Sequence, residues 1–113
     1  VPMAIVTSSL RHHFDIIHEK SGLLPFFDFV LTREDYKHSK PHPEPYLTAL
    51  QQLGIAPHHA LVVEDSERGL HAARRAEIPC VVVAEKAGSG SFQGAQAVVP
   101  SVDRILPLLP FSC

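Results

Sequence analysis

Residues 60–73 read Ala60-Leu61-Val62-Val63-Glu64-Asp65-Ser66-Glu67-Arg68-Gly69-Leu70-His71-Ala72-Ala73, a continuous apolar run that passes through two adjacent carboxylates into a helix-forming stretch. A strand covered on both faces reads as an unbroken apolar run, and its alternation with helical segments marks βα units around a parallel sheet. A strand is expected over Ala60-Leu61-Val62-Val63 and a helix from about Glu67 to Ala76, whose Gly69, Ala72 and Ala73 are small enough to let it approach the sheet. The same grammar recurs on either side. Upstream, Met3-Ala4-Ile5-Val6 is apolar and ends in Thr7-Ser8-Ser9; Leu10, Phe14 and Ile17 follow at helical spacing, and Gly22 stands where a left-handed cap would stop the helix. Phe29-Val30-Leu31 reads as a second strand ending at Thr32. Pro45 suits the first turn of a helix, where its missing N–H has no partner to lose; Leu47, Leu50 and Leu53 are the expected buried stripe and Gly54 the stop. Downstream, Cys80-Val81-Val82-Val83 reads as a strand, Gly88 to Gly94 as a loop, Ala97-Val98-Val99 as a short strand, and Val102, Ile105, Leu106 and Leu109 as a last helix face. The expected fold is α/β with a mostly parallel sheet.

The 113 residues, 45% of them hydrophobic, suffice for one core of ordinary size. Ten Lys and Arg against 12 Asp and Glu leave a formal net charge of −2, without the basic excess that a nucleic-acid binder uses on phosphates. No apolar run approaches the ~18–20 residues that cross a bilayer, so neither a nucleic acid nor a membrane is an expected partner. Cys80 and Cys113 are too few to staple a small secreted fold, and a reducing, cytoplasmic setting is expected. Val1 in first place, with the one methionine at Met3, raises the expectation that the chain is a piece of something longer.

In open parallel sheets, ligands gather beyond the carboxyl ends of the strands. Those ends carry Thr7-Ser8-Ser9 and Glu64-Asp65, and Lys40 stands in the loop before a helix. A hydroxyl beside backbone N–H groups can hold phosphate oxygens, a lysine can neutralise them as a point charge, and paired carboxylates can hold Mg²⁺. Taken singly, each has a plainer reading: Thr7-Ser8-Ser9 as a cap of the following helix, Lys40 as a surface lysine, Glu64-Asp65 as a solvated loop. Their order and spacing together favour a phosphoryl-transfer site.

The strand ending in Thr7-Ser8-Ser9, then Lys40-Pro41-His42-Pro43-Glu44-Pro45-Tyr46, then Val62-Val63-Glu64-Asp65-Ser66-Glu67-Arg68-Gly69, resembles the haloacid dehalogenase-like hydrolases, and among them the branch of β-phosphoglucomutase and phosphoglycolate phosphatase. The resemblance covers nearly the whole chain. It implies a three-layer, Rossmann-like core and a Mg²⁺-dependent phosphoryl-transfer hydrolase acting on a small phosphorylated metabolite. It also implies that Thr7 hydrogen-bonds the transferring phosphoryl group beside the Ser8 N–H, and that Lys40 bridges phosphate and nucleophile. Glu64 and Asp65 would then be the acidic pair on which Mg²⁺ depends, with Asp65 touching the metal and Ser66 behind the metal ligands or capping the next helix. A phosphosugar mutase is the alternative within the enzyme class, and a non-catalytic binding or assembly module is the alternative outside it; dehalogenation does not call for the acidic pair.

The largest departure from the family is the missing Asp-x-Asp strand, whose first aspartate attacks phosphorus: none of Asp15, Asp28, Asp35, Asp65 and Asp103 has another aspartate two places on. The helical cap that lies between that strand and the Thr7 strand is missing too. Residues 1–113 therefore read as the post-cap part of a hydrolase core, inactive alone, with an unfilled place at the sheet centre that the N-terminal segment of the same polypeptide, or self-association, would cover. Glu77 stands where relatives commonly place glycine to end a helix, at a modest expected strain. The eight histidines lack an H-E-x-x-H or paired C-x-x-C spacing, which argues against zinc and for surface residues. Cys80 is expected in the core.

Overall fold

The computed structural model describes residues 1–84 and 92–104. Within them lie strands β1 (Ala4–Val6), β2 (Phe29–Leu31), β3 (Val62–Glu64), β4 (Cys80–Val83) and β5 (Ala97–Val99), and helices α1 (Arg11–His18), α2 (Glu44–Leu53) and α3 (Glu67–Arg75). All described strand pairs are parallel. β1 runs beside β2, with Ala4 opposite Phe29 and Val6 opposite Leu31; β3, β4 and β5 form a second group in that order, with Val62 opposite Cys80 and Val81 opposite Ala97. The α/β architecture expected from the alternation is present, with α1 and α3 as crossovers within the two groups. Among the described residues β1 and β3 each have a strand on one side only.

β2, β4 and β5 have the bounds read from the sequence, each a short unbroken apolar run; in β4 Val81 and Val82 point to opposite sides and both are buried, while β2 and β5 are mostly half-buried. β1 starts one residue later than expected, at Ala4. Met3 is held instead by Asp28, whose N–H donates to the Met3 carbonyl at 2.7 Å and whose carboxylate accepts the Met3 N–H at 2.7 Å. β3 starts at Val62 and not at Ala60, because the Ala60 N–H turns back to the Pro57 carbonyl in a 3-10 turn over Pro57–His59.

The core lies between α2, α3 and the β3–β4 strands, where Leu70, Ala72, Ala73, Cys80 and Val82 are buried. Ser66 caps α3, its Oγ accepting the Gly69 N–H at 3.1 Å, and Arg74 and Arg75 in the last turn suit the negative end of the helix. Past the end of α3, Glu77 has a φ of +63°, a left-handed conformation that costs a residue with a Cβ about 1–2 kcal/mol. On α2 the expected stripe is rotated: Pro45, Tyr46, Ala49 and Leu50 are buried, Leu53 is half-buried, and Leu47 is 45% exposed. Tyr46 takes the inward place because its hydroxyl has a buried partner. Gly54, at a φ of +70°, stops the helix, its N–H reaching the Leu50 carbonyl at 2.8 Å.

The expected stripe of α1 fails beyond Phe14. Leu10 is the exposed N-cap residue and Ile17 is 68% exposed, since His18, four residues on from Phe14, lays its ring 4.4 Å from the Phe14 ring and takes the covered place. Partial burial of His18 and His42 corrects the reading of all the histidines as surface residues. The helix also ends before Gly22, with Glu19 as its C-cap. Val102–Arg104 forms a 3-10 turn; residues 88–91 of the expected loop, and Ile105, Leu106 and Leu109, lie outside the described residues.

The first turn of α1 is satisfied from another loop. The Glu34 carboxylate accepts the Arg11 N–H at 2.9 and 3.1 Å, while Thr32 and Asp35 form a capping box in which the Thr32 N–H donates to Asp35 at 2.7 Å. The Glu34 carboxyl is held below the usual carboxylate range by its own backbone N–H and then by that of Arg11, and the Asp35 carboxyl chiefly by the Thr32 N–H. Lowered folded-state values mean that the folded chain holds fewer protons through this range, so the stabilisation is complete above ordinary carboxylate values and is lost as pH falls through the depressed ones. The urea midpoint should accordingly fall between about pH 5 and about pH 2. The fall should be shallower in a Glu34→Gln, Asp35→Asn variant, and equal slopes would remove the assignment.

Candidate active site

The chain between β2 and α2 is fastened at both ends before it delivers Lys40. At the near end, the Tyr36 hydroxyl donates to the Thr7 carbonyl at 3.0 Å, and the Arg33 guanidinium lies 5.6 Å from the Tyr36 ring and donates to the Tyr36 carbonyl at 2.9 Å. At the far end, the Glu44 carboxylate accepts the Lys37 N–H at 2.6 Å and the His38 N–H at 3.2 Å, folding the loop back onto the start of α2.

Lys40 then reaches the strand tips. Its Nζ donates to the Val6 carbonyl at 3.1 Å and to Glu64 Oε2 at 2.5 Å, and lies 5.0 Å from the Tyr46 ring centroid. Val6 immediately precedes Thr7, and Glu64 immediately precedes Asp65, so one ammonium ties together the carboxyl ends of β1 and β3. The Lys40 and Glu64 side chains are only 12% and 8% exposed. The Tyr46 hydroxyl donates to the same Glu64 oxygen, and burial, followed by the Glu64 charge, holds the Tyr46 phenol well above its ordinary range. Glu64 Oε1 accepts the Asp65 N–H at 3.3 Å.

Room for the Glu64 carboxylate comes from α3. A Cβ at Gly69 would fall inside the van der Waals envelope of the Glu64 side-chain carboxyl, so the absent side chain of a glycine in the first turn of α3 is what lets Glu64 turn inward.

The remaining residues singled out in the sequence surround this tie. Thr7 is half-buried at the tip of β1, and its Oγ1 accepts the Ser9 N–H at 3.2 Å, which leaves its own proton free to donate. Ser8 is exposed beside it. None of Thr7, Ser8 and Ser9 caps α1, whose first N–H groups are served by Glu34. Asp65 is exposed at the tip of β3, while Glu64 faces inward and Ser66 caps α3. Sequence reasoning missed Tyr36, Tyr46 and Gly69 as supports of the site. Tyr46 carried a signal, since it closes the segment that begins with Lys40; Tyr36 carried none.

Lys40, Glu64 and Asp65 together hold one net negative charge, and a phosphate dianion would meet repulsion there unless a cation joined it. Mg²⁺ binds through one or two carboxylates, keeps several waters and shares phosphate oxygens. Asp65, exposed and oxygen-bearing, fits that role. Glu64, already engaged by Lys40 and Tyr46, stands behind it.

The parallel strands and their helices make an α/β protein, and a lysine, a hydroxyl and two carboxylates stand at the strand ends where open parallel sheets take their ligands. The profile of haloacid dehalogenase-like hydrolases matches residues 1–83. The pyrophosphatase PpaX of Oceanobacillus iheyensis is 36% identical over 84 residues, 74% of this chain and 39% of that protein. The validoxylamine A 7'-phosphate phosphatase of Streptomyces hygroscopicus subsp. limoneus is 40% identical over 81 residues, 72% of this chain and 38% of that protein. A crystal structure from Thermotoga maritima classed as a β-phosphoglucomutase superposes with a TM-score of 0.80 at 30% identity, covering 88% of this chain and 48% of that one. The chain belongs to the haloacid dehalogenase-like hydrolase family, in its phosphatase and mutase-like branch. It spans about two fifths of the length of these curated relatives and about half of the solved structure.

Proposed function

We propose that the protein is a Mg²⁺-dependent phosphoryl-transfer hydrolase, a phosphatase for a small phosphorylated metabolite. The observation that carries this reading is the position of Lys40, whose ammonium bonds to Val6 and Glu64 and so stands one residue from both Thr7 and Asp65. The matched relatives add weight, since two of them carry the names of a pyrophosphatase and of a phosphate-ester phosphatase. In this reading Thr7 Oγ1 donates its free proton to a phosphoryl oxygen beside the Ser8 N–H. Lys40 offsets the charge that builds on the transferring group, in a setting where its own position is fixed before substrate arrives. Asp65 is the metal ligand, and Glu64 acts by orienting Lys40. Bound Mg²⁺ would supply the positive charge that lets a phosphate dianion approach the two carboxylates.

The nucleophile is absent from the 113 residues, which contain no Asp-x-Asp. We propose that it lies on an upstream strand of the same polypeptide seated between β1 and β3, where each of those strands has an unpaired edge among the described residues. Unpaired edges carry free N–H and C=O groups, and a parallel strand placed there would satisfy both sets. Residues 1–113 are then the post-cap portion of the catalytic core and turn over no substrate alone.

Asp65→Asn tests the metal assignment. The side chain is exposed, so the unfolding midpoint of the whole polypeptide should not move, while Mg²⁺-dependent release of phosphate from an aryl phosphate should fall at least a hundredfold, about 3 kcal/mol. A rate within threefold of the parent would remove Asp65 from the site.

A further inference from the structure

Outside the strand-tip site, His38, His42 and Glu44 bring one ligand atom each to within 4.8 Å of the others. From these three side chains we infer a second metal site, specific for a divalent transition-metal ion of the Zn²⁺ type, on the loop that carries Lys40. It does not rest on the proposed activity.

Two imidazoles and a carboxylate are the donors that a tetrahedral Zn²⁺ takes when water completes the shell. His38 Nδ1 lies 2.8 Å from Glu44 Oε1, about half an ångström short of the ~3.3 Å edge of a tetrahedron with ~2.0 Å bonds. The His38 and His42 rings stack with centroids 4.7 Å apart, which holds the second imidazole beside the first; the Glu44 N–H donates to His42 Nδ1 at 3.0 Å, a bond that an ion taking that nitrogen displaces. Glu44 is itself held in place by the Lys37 and His38 N–H groups, which its carboxylate accepts. His38 is exposed and His42 and Glu44 half-buried, which leaves an open approach for an ion and its water.

The spacing explains why the site escapes a motif scan. The two histidines stand four apart on either side of Lys40-Pro41 in a non-helical loop, and the carboxylate follows on the first turn of α2. An ion there would stand between His38 Nδ1 and Glu44 Oε1 in place of their direct contact, and would bridge the residues before and after Lys40. Imidazoles ligate as free bases, so affinity falls on acidification.

Calorimetric titration with ZnCl₂ and optical titration with Co²⁺ test this on the natively expressed polypeptide. Both use an Asp65→Asn background, so that the strand-tip carboxylate contributes nothing. The expected result is one saturable Zn²⁺ per chain and, with Co²⁺, the intense visible bands of four-coordinate nitrogen and oxygen ligation. His38→Gln and His42→Gln should each weaken Zn²⁺ at least tenfold and remove the Co²⁺ bands, whereas His12→Gln with His13→Gln, and His58→Gln with His59→Gln, should leave both readouts in place. Absence of saturable binding, or equal affinity in the His38→Gln and His42→Gln variants, overturns the site. Circular dichroism of the variants confirms that the loop change leaves the fold intact.

Discussion

Lys40→Ala is expected to remove most phosphoryl-transfer turnover and, in the same stroke, to destabilise the fold by about 3–5 kcal/mol. The stability effect follows from what is left behind. Glu64 is buried, shares one oxygen between Lys40 and Tyr46, and without the ammonium becomes a charge held out of water with, among the described residues, the Tyr46 hydroxyl and the Asp65 N–H left to offset it. The activity effect follows from the fixed position of Nζ, because loss of one preorganised group of this kind costs about 10²–10³ in rate. The two effects separate in a Lys40→Met, Glu64→Gln variant, in which both charges go together. Replacing a whole buried pair by neutral groups is far milder than halving it, so the urea midpoint should return most of the way to the parent while phosphate release stays low. Turnover by Lys40→Ala near the parent rate, or a double variant as unstable as the single one, would contradict the assigned role.

Gly69→Ala should destabilise the chain by about 2–3 kcal/mol, although the same change at an ordinary exposed helix position would stabilise it by up to about 1 kcal/mol. The reversal of sign has one source: the new methyl group would occupy the space of the Glu64 carboxyl, which cannot withdraw without leaving Lys40 and Tyr46. A double-mutant cycle isolates it. In a Glu64→Ala background the obstruction is gone, and the Gly69→Ala cost should vanish or change sign. The same loss in both backgrounds, measured by urea unfolding, would place the crowding elsewhere.

How much could be read from the sequence varies with the kind of interaction involved. The strands β2, β4 and β5 were legible to the residue because each is a short unbroken apolar run, although only β4 is buried on both faces and β2 and β5 are mostly half-buried. Gly54 and the small residues of α3 were legible because only a few residue types meet those steric conditions. The α1 stripe was not, since periodicity marks which face could be buried but not whether a neighbour is there to bury it; Ile17 stays exposed and the His18 ring lies against Phe14 instead. On α2 the inward residue was Tyr46 and not Leu47, because a buried carboxylate 18 residues away draws the phenol. At the site, Thr7, Lys40, Glu64 and Asp65 stood out by type and order. The inward turn of Glu64, and the anchoring of Thr7 by Tyr36, depend on contacts across 5 and 29 residues that no local pattern encodes.

The two strand groups are each written in one uninterrupted length of chain, residues 4–31 and 62–99. Among the described residues, the second contains four of the six largest fully buried side chains, Leu70, Val81, Val82 and Cys80. Amide protons there should be the last to exchange, with the first group opening sub-globally at lower free energy. Because the ammonium of Lys40 lies on the seam between them, the site proposed at the strand tips is assembled only in molecules where both units have docked, and local opening of the weaker unit would take it apart well before the chain unfolds.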